Sequence, residues 1–126
     1  MPKPEALELH LFVRDLDAAR GFYVDLLGFP VVYESDWFLS VDAGADVHVC
    51  CNARRDDYAE WGTGGKGTKV EFRVPDVDAV HARLSRFGVP FEFAPEDKPW
   101  GLRSCGVRDP EGYRVWFSTP IAASPS

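Results

Sequence analysis

Cysteine and long apolar runs are both scarce in this sequence of 126 residues. The three cysteines, Cys50, Cys51 and Cys105, suit neither a disulfide framework nor a Cys-x-x-Cys metal site, so we expect them to be reduced and packed. No apolar run approaches the roughly 18 residues of a membrane span, and the start, MPKPEALEL, lacks the basic and apolar regions of a signal peptide. These absences predict a cytoplasmic protein that has no membrane segment.

Positive charge is also in short supply. Lys and Arg number 14 against 20 Asp and Glu, which gives a formal net charge of -6, and the basic residues are scattered. A nucleic-acid partner would require a basic face, so this class of ligand is disfavoured. The length suits one domain with a real core, and the acidic balance leaves neutral or cationic small molecules as ligands.

What the sequence does contain is a repeat. ELHLFVRDLDAA, residues 8–19, returns as KVEFRVPDVDAV, residues 69–80, at a constant offset. Each copy begins with alternating apolar and polar residues, as in a strand that has two different faces. An aspartate pair that can start a helix follows in each copy, Asp15 with Asp17 and Asp76 with Asp78. Apolar residues then recur at helical spacing, and Gly28 and Gly88 suit the helix ends.

Three strand-like segments follow each helix. They are PVVYES, DWFLSVD and ADVHVCCN in the first copy, and PFEFA, LRSCGVR and YRVWFS in the second, with a strong turn at 109–112. The pattern predicts an α+β fold of two tandem βαβββ units within one domain, at about 6–52 and 68–119. Residues 53–67, with glycines after Trp61, are expected to be a flexible crossing, and the tail from residue 120 is expected to fray.

One helix covers only one face of a mixed sheet, so the other face has to be explained. By alternation that face carries aromatic and ionisable side chains: Glu8, His10, Phe12, Phe38, Ser40, Asp46, His48, Cys50, Lys69, Glu71, Arg73, Arg114, Trp116 and Ser118. The mixture is too polar for a core and too aromatic for an ordinary surface. It predicts a ligand groove.

Several segments resemble one protein family. VRDLDAARGFYVDLLGFPVVYES, DWFLSVD and WGLRSCGVRDPEGYRVWF resemble the vicinal oxygen chelate superfamily, which includes glyoxalase I, extradiol dioxygenases, and fosfomycin and bleomycin resistance proteins. The resemblance runs from about residue 6 to 119. It implies two units whose sheets curl into an incomplete barrel around a cleft, with helices on the outer face, and it makes a homodimer an expectation.

The resemblance also implies where metal ligands would stand. In metal-dependent relatives they come from the first and last strands of each unit, and those positions here carry Glu8, His48, Lys69 and Trp116. A lysine stays protonated near neutral pH, and an indole offers only an N–H donor. Lys69 and Trp116 therefore cannot bind a divalent cation, which leaves fewer protein ligands than usual.

Two other interpretations of the polar residues stay open. His10, His48 and Glu71 resemble a two-histidine, one-carboxylate iron site, displaced along the strands from the family position. Alternatively, Glu8 pairs with Lys69 and His10 pairs with Glu71, so that the polar groups satisfy one another without a metal.

The sequence most resembles the bleomycin resistance branch, whose members bind a drug without a metal. We therefore expect a small-molecule binding protein that needs no cofactor and sequesters an aromatic or cationic ligand, with Phe38, Trp100 and Trp116 stacking on it. His10, His48 and Glu71 would orient the ligand, and Cys50 shares their face. The alternatives are a divergent metal-dependent lyase or dioxygenase and a non-catalytic dimerisation or regulatory module. Whether the crossing and the loop 94–101 close over the groove is left open.

Overall fold

The two repeats form separate units in the structure, a computed structural model that describes residues 1–121 and divides between Gly64 and Gly65. The first unit contains β1 (Leu7–Phe12), α1 (Leu16–Arg20), a π-helical segment (Gly21–Leu26), β2 (Val31–Glu34), β3 (Phe38–Asp42), β4 (Val47–Asn52) and α2 (Arg55–Trp61). The second contains β5 (Lys69–Arg73), α3 (Val77–Arg86), β6 (Phe93–Asp97), β7 (Leu102–Arg108) and β8 (Arg114–Pro120). The predicted α+β class and the tandem βαβββ units are confirmed.

The main helix of each unit begins and ends where the sequence predicts. An Asp15 carboxylate oxygen accepts a hydrogen bond from the Ala18 N–H at 3.0 Å, and Asp76 caps α3 in the same way. Gly28 and Gly88 follow the helices with φ angles of 77° and 75°, which a residue without a Cβ adopts at no steric cost. None of the helices formed by residues 1–121 has the length and apolar character needed to cross a membrane.

Each unit has one mixed four-stranded sheet. The strand orders are β1-β4-β3-β2 and β5-β8-β7-β6, and in both sheets the first and last strands of the unit pair in parallel while the other pairs are antiparallel. In the first unit α1 packs against β3 and β4, and this side of the sheet buries Leu11, Leu39 and Val49. Strand alternation places the intervening side chains on the opposite face.

The crossing is more ordered than expected, because α2 lies within residues 53–67. Asp56 and Asp57 occupy its first turn, where a negative charge interacts favourably with the helix dipole. An Asp57 carboxylate oxygen also accepts a hydrogen bond from Asn52 Nδ2 at 3.1 Å. The glycines begin only at Gly62, after the helix has ended. The first half of the expected crossing therefore contains a helix that the sequence did not predict, and α2 buries none of its residues.

Two strand boundaries also differ from the prediction. The strand expected at 90–94 lies at Phe93–Asp97, and its pairing with β7 shifts register between Phe93 and Glu96. The tail expected to fray from residue 120 remains paired there, since β8 extends to Pro120 and the Ile121 N–H donates to the Gly101 carbonyl at 3.0 Å. Residues 122–126, the remainder of that tail, lie outside the described part of the chain.

Candidate functional site

The face of the first sheet opposite α1 carries polar side chains in two rows. Glu8 of β1 lies opposite His48 of β4, and His10 lies opposite Cys50. Ser40 of β3 extends the second row beside Cys50. The register confirms that these five residues share one face, as their alternation in the sequence predicts.

Three of these side chains form a close group. His10 Nε2 lies 3.2 Å from a Glu8 carboxylate oxygen, and one potential ligand atom from each of Glu8, His10 and Cys50 lies within 4.8 Å of the other two. Burial raises the pKa of the Cys50 thiol, a hydrogen bond with Ser40 lowers it, and the charge of Glu8 raises it again. Near neutral pH the thiol is protonated and donates to Ser40 Oγ at 3.5 Å, so Cys50 is not an activated nucleophile.

An aromatic group surrounds Phe38 on the same unit. Its ring centroid lies 6.2 Å from that of His10, 6.2 Å from that of Tyr33 and 5.7 Å from that of Trp37. Tyr33 pairs with Ser40 across β2 and β3, and is 60% exposed, while Trp37 is 42% exposed. Phe38 was predicted from alternation, whereas Tyr33 and Trp37 were not. Val31 pairs with Val41 on the buried side of the sheet, and a register shift between Val31 and Tyr33 brings Tyr33 to the open face, which alternation along the strand does not predict.

In the second sheet a single row crosses all four strands. Glu71, Trp116, Gly106 and Phe93 lie side by side on β5, β8, β7 and β6. The rings of Phe93 and Trp116 meet edge to face over Gly106, with centroids 4.9 Å apart and an interplanar angle of 74°. A Cβ at Gly106 would lie 2.5 Å from Phe93 Cε1. The missing side chain at Gly106 therefore permits this contact between residues that are far apart in the sequence.

A lysine covers the indole ring of Trp116. Lys69 Nζ lies 3.8 Å from the ring centroid, within the range of a cation–π interaction, and 3.1 Å from a Glu71 carboxylate oxygen. Glu71 also accepts a hydrogen bond from Ser118 Oγ at 3.0 Å. Lys69 and Glu71 thus form an ion pair along one strand, two residues apart, as the hydrogen-bonded Glu8 and His10 are on β1.

A second lysine connects the aromatic residues of this unit. Lys98 Nζ lies 4.3 Å from the Phe93 ring centroid, 5.3 Å from that of Trp116 and 5.9 Å from that of Trp100, and it forms an ion pair with Glu96. Trp100 is 61% exposed on the turn between β6 and β7. Two of the residues predicted to stack on a ligand therefore adjoin the same cation.

The strand registers revise one detail of the internal repeat. Lys69 is the counterpart of Glu8 in the sequence repeat. Glu8 lies opposite His48 on β4, and Lys69 lies opposite Arg114 on β8. His48 therefore corresponds to Arg114 and not, as the family positions suggested, to Trp116. The turn before each last strand differs in length between the two copies, so the sequence offset does not carry over to β4 and β8.

The residue that corresponds to Trp116 is Cys50. It lies opposite His10 as Trp116 lies opposite Glu71. At the positions where the resemblance implies metal ligands in the second unit, Lys69 brings a positive charge and the indole of Trp116 has no lone pair to offer, so this pair does not fit a divalent cation. The group of Glu8, His10 and Cys50 in the first unit has the chemical types that bind zinc and similar ions.

Comparison with known proteins shows the same relationship along most of the chain. The sequence model of the Glyoxalase/Bleomycin resistance protein/Dioxygenase superfamily matches residues 6–117. The chain is 28% identical to the uncharacterized protein YraH of Bacillus subtilis (strain 168) over 118 residues, which is 83% of this chain and 90% of that protein.

Two solved structures extend the comparison. TnmS3, an antibiotic binding protein from Streptomyces sp. CB03234, is 27% identical with a TM-score of 0.78, over 95% of this chain and 98% of its own. A lactoylglutathione lyase from Agrobacterium tumefaciens is 25% identical with a TM-score of 0.72, over 94% and 96% of the two chains. Because the family's sequence model spans both βαβββ units, the chain belongs to the Glyoxalase/Bleomycin resistance protein/Dioxygenase superfamily.

Proposed function

We propose that this protein binds an aromatic small molecule and sequesters it without a metal and without chemical turnover. The observation that carries the proposal is the pairing at the family's ligand positions in the second unit, where Lys69 Nζ lies 3.8 Å over the ring of Trp116. An ammonium and an indole cannot hold a divalent cation, but together they recognise planar organic ligands. The similarity to an antibiotic binding protein supports a binding role.

Each aromatic residue of the second unit has a defined part in this proposal. Trp116, supported at its edge by Phe93, offers a surface whose orientation is set before the ligand arrives. The exposed ring of Trp100 packs on the ligand from the turn, and Glu71 orients polar groups through Lys69. In the first unit the group around Phe38 offers a second aromatic surface, with His10, His48 and Cys50 on the same face. Ring stacking and loss of water from apolar surface supply the affinity.

Isothermal titration with 2-naphthalenemethanol, a neutral planar probe, tests the role of Trp116. Removing one stacking ring costs roughly 1–3 kcal/mol, so Trp116→Ala should weaken binding by about 5- to 150-fold. Trp116→Phe is the matched control, because it keeps an aromatic ring and should retain most of the affinity. Excess EDTA should leave binding by the wild-type protein unchanged.

Two outcomes would contradict the proposal. One is equal affinity of the wild-type protein and a folded Trp116→Ala variant. The other is probe binding that disappears with EDTA and returns with a metal. Trp61→Ala, on α2 of the first unit, where the ring stacks on Phe12, separates a loss specific to Trp116 from a general effect of losing a tryptophan.

A metal-dependent lyase or dioxygenase is the second candidate, and the group of Glu8, His10 and Cys50 favours it. The similarity to a lactoylglutathione lyase supports an enzymatic role. Reconstitution with Zn²⁺, Fe²⁺, Mn²⁺ or Ni²⁺ followed by elemental analysis tests this candidate. Stoichiometric metal that is lost in both Glu8→Gln and His10→Ala would support it, whereas no retained metal in the wild-type protein would remove it.

A further inference from the structure

A groove in the second unit concentrates positive charge in a chain whose net charge is -6. The groove encloses about 560 Å³ and is lined by residues 65–68 together with Lys69, Arg108, Arg114 and Trp116. Because Lys66 belongs to the lining loop, four cations surround this space. We call this feature the basic groove.

Neighbouring carboxylates orient the cations of the basic groove but do not neutralise all of them. Glu92 lies 3.1 Å from Arg108 Nε and 3.7 Å from Arg114 Nε, and Glu71 pairs with Lys69. These pairs involve two carboxylates and three of the four lining cations, so the cations outnumber the carboxylates described as pairing with them. Arg108 is further held by a hydrogen bond of 3.0 Å from Nη1 to the Gly112 carbonyl, so its guanidinium is positioned in advance.

The glycine-rich wall of the basic groove is packed in place. Gly65 adopts a φ of 87°, and a Cβ built on it would lie 2.2 Å from the Gly112 carbonyl carbon. The loop backbone therefore approaches the turn between β7 and β8 more closely than any other residue type allows. Within that turn, the N–H groups of Glu111, Gly112 and Tyr113 each donate a hydrogen bond to Asp109 Oδ1 at 2.9 Å. Loop and turn form a cradle that does not need to be ordered by the ligand.

Trp116 is the apolar wall of the same groove. In a ligand that carries both an oxyanion and an aromatic ring, the cations can bind the oxyanion while the indole packs against the ring. Lys69 lines the groove and also contacts the indole ring. We propose that the basic groove binds the anionic end of an aromatic ligand, a carboxylate or a phosphate, beside Trp116. This inference rests on the proposed function and specifies the charge of the ligand.

The local arrangement opposes the expectation of a cationic ligand, which rested on the net charge of the chain. Charges separated by more than about 10 Å are largely screened at moderate ionic strength, so the acidic residues elsewhere contribute little at the groove. Lys69 and Lys98, both within 5.3 Å of the Trp116 ring centroid, are each paired with a carboxylate, Glu71 and Glu96. The positive charge that a cationic ligand would meet comes from Lys66 and from the two arginines that share Glu92. An anionic ligand meets the complementary charge.

Calorimetry with a matched series of naphthalene probes tests the inference. The series comprises 2-naphthoate, 2-naphthyl phosphate, neutral 2-naphthalenemethanol and cationic 2-naphthylmethylammonium, with inorganic phosphate alone as the fifth titrant. We expect one or both anionic probes to bind at least about 10-fold more tightly than the cation, as expected for charge-assisted hydrogen bonds. The better anion identifies the carboxylate or the phosphate as the preferred group. Raising NaCl from about 50 to about 500 mM should weaken the anions selectively.

Charge-removing variants locate the effect. Lys66→Gln and Arg114→Gln should each weaken the better anion by roughly 3- to 10-fold while changing the neutral probe by less than about 2-fold. Arg86→Gln removes the same charge from α3, outside the basic groove, and should change neither. Circular dichroism spectra identical to that of the wild-type protein verify the fold of each variant.

The possible failures are distinct from one another. Equal affinity for the anionic, neutral and cationic probes would overturn this inference and leave the proposed function standing. Losses of affinity in Lys66→Gln and Arg114→Gln that are equal for the anionic and neutral probes would have the same meaning. Inorganic phosphate that binds as tightly as 2-naphthyl phosphate would support an anion site and overturn the aromatic-binding function. Absence of binding by all five titrants at millimolar concentration would overturn both.

Discussion

Replacing Gly65 by alanine should destabilise the protein far more than the same change at its neighbour Gly64. Both glycines adopt left-handed backbone angles, with φ of 87° at Gly65 and 64° at Gly64. A Cβ at Gly64 meets nothing within 4 Å, whereas a Cβ at Gly65 would lie 2.2 Å from the Gly112 carbonyl carbon and 2.4 Å from the Tyr113 nitrogen. Gly64→Ala is therefore a matched control for the backbone conformation, and the comparison isolates the close approach.

The expected loss of unfolding free energy has two sources, the left-handed backbone conformation and the close approach to Gly112. A left-handed conformation costs alanine about 1–2 kcal/mol, and the reduced freedom of the unfolded chain returns about 0.4–1 kcal/mol, so Gly64→Ala should lose about 1 kcal/mol. At Gly65 the overlap is with backbone atoms, which no side-chain rotation relieves, so the loop and the turn have to separate. Overpacking of this kind typically costs about 1–3 kcal/mol. Gly65→Ala should therefore lose about 2–4 kcal/mol in total.

Urea denaturation monitored by tryptophan fluorescence measures both losses from the transition midpoint and slope. We expect the Gly65→Ala midpoint to fall clearly below that of Gly64→Ala. Because Gly112 also accepts the Arg108 hydrogen bond, the same variant should weaken binding of 2-naphthoate or 2-naphthyl phosphate in the basic groove. Unfolding free energies of Gly65→Ala and Gly64→Ala that agree within about 0.5 kcal/mol would refute the packing argument.

Two further predictions concern the core of the second unit. Asp109→Ala should lose about 2–4 kcal/mol in thermal unfolding, because it leaves the N–H groups of Glu111, Gly112 and Tyr113 without their shared acceptor, and Asp109→Asn, which keeps an amide oxygen, should lose less. Burial, aided by the charge of Asp78, raises the pKa of Cys105 from 9.0 to about 11, so the folded state binds more protons than the unfolded state between these values. The unfolding free energy should therefore fall by roughly 2–3 kcal/mol as the pH rises from 8.5 to about 11, and equal declines in the wild-type protein and Cys105→Ala would contradict this assignment.

The features that the sequence predicted well are local ones. Asp15 and Asp76 cap the helices because a short carboxylate can reach backbone N–H groups of the first turn whatever the rest of the chain does. The open face of β1 followed from alternation alone, since neighbouring side chains of a strand point to opposite sides. Such signals act within a few residues, so they survive in any tertiary arrangement.

The features that the sequence missed depend on partners that are distant along the chain. The strand expected at 90–94 shifted because β6 is registered by β7, and its Phe93 reaches Trp116 only where Gly106 leaves space between them. The helix α2 was missed for a different reason. The later glycines of the crossing dominated the composition of a segment whose first half forms a helix with acidic residues in its first turn.

The sequence by itself determined the duplicated βαβββ units, the aromatic and polar composition of their open faces, and the inability of the Lys69 ammonium and the Trp116 indole to act as metal ligands. These follow from periodicity and from the chemistry of single side chains. Only the tertiary structure decided that Cys50, and not His48, corresponds to Trp116, because strand register sets that relationship. It also decided that residues 65–69 meet Arg108 and Arg114 in one groove, since pairing β5 and β7 with β8 gathers cations that are scattered along the sequence.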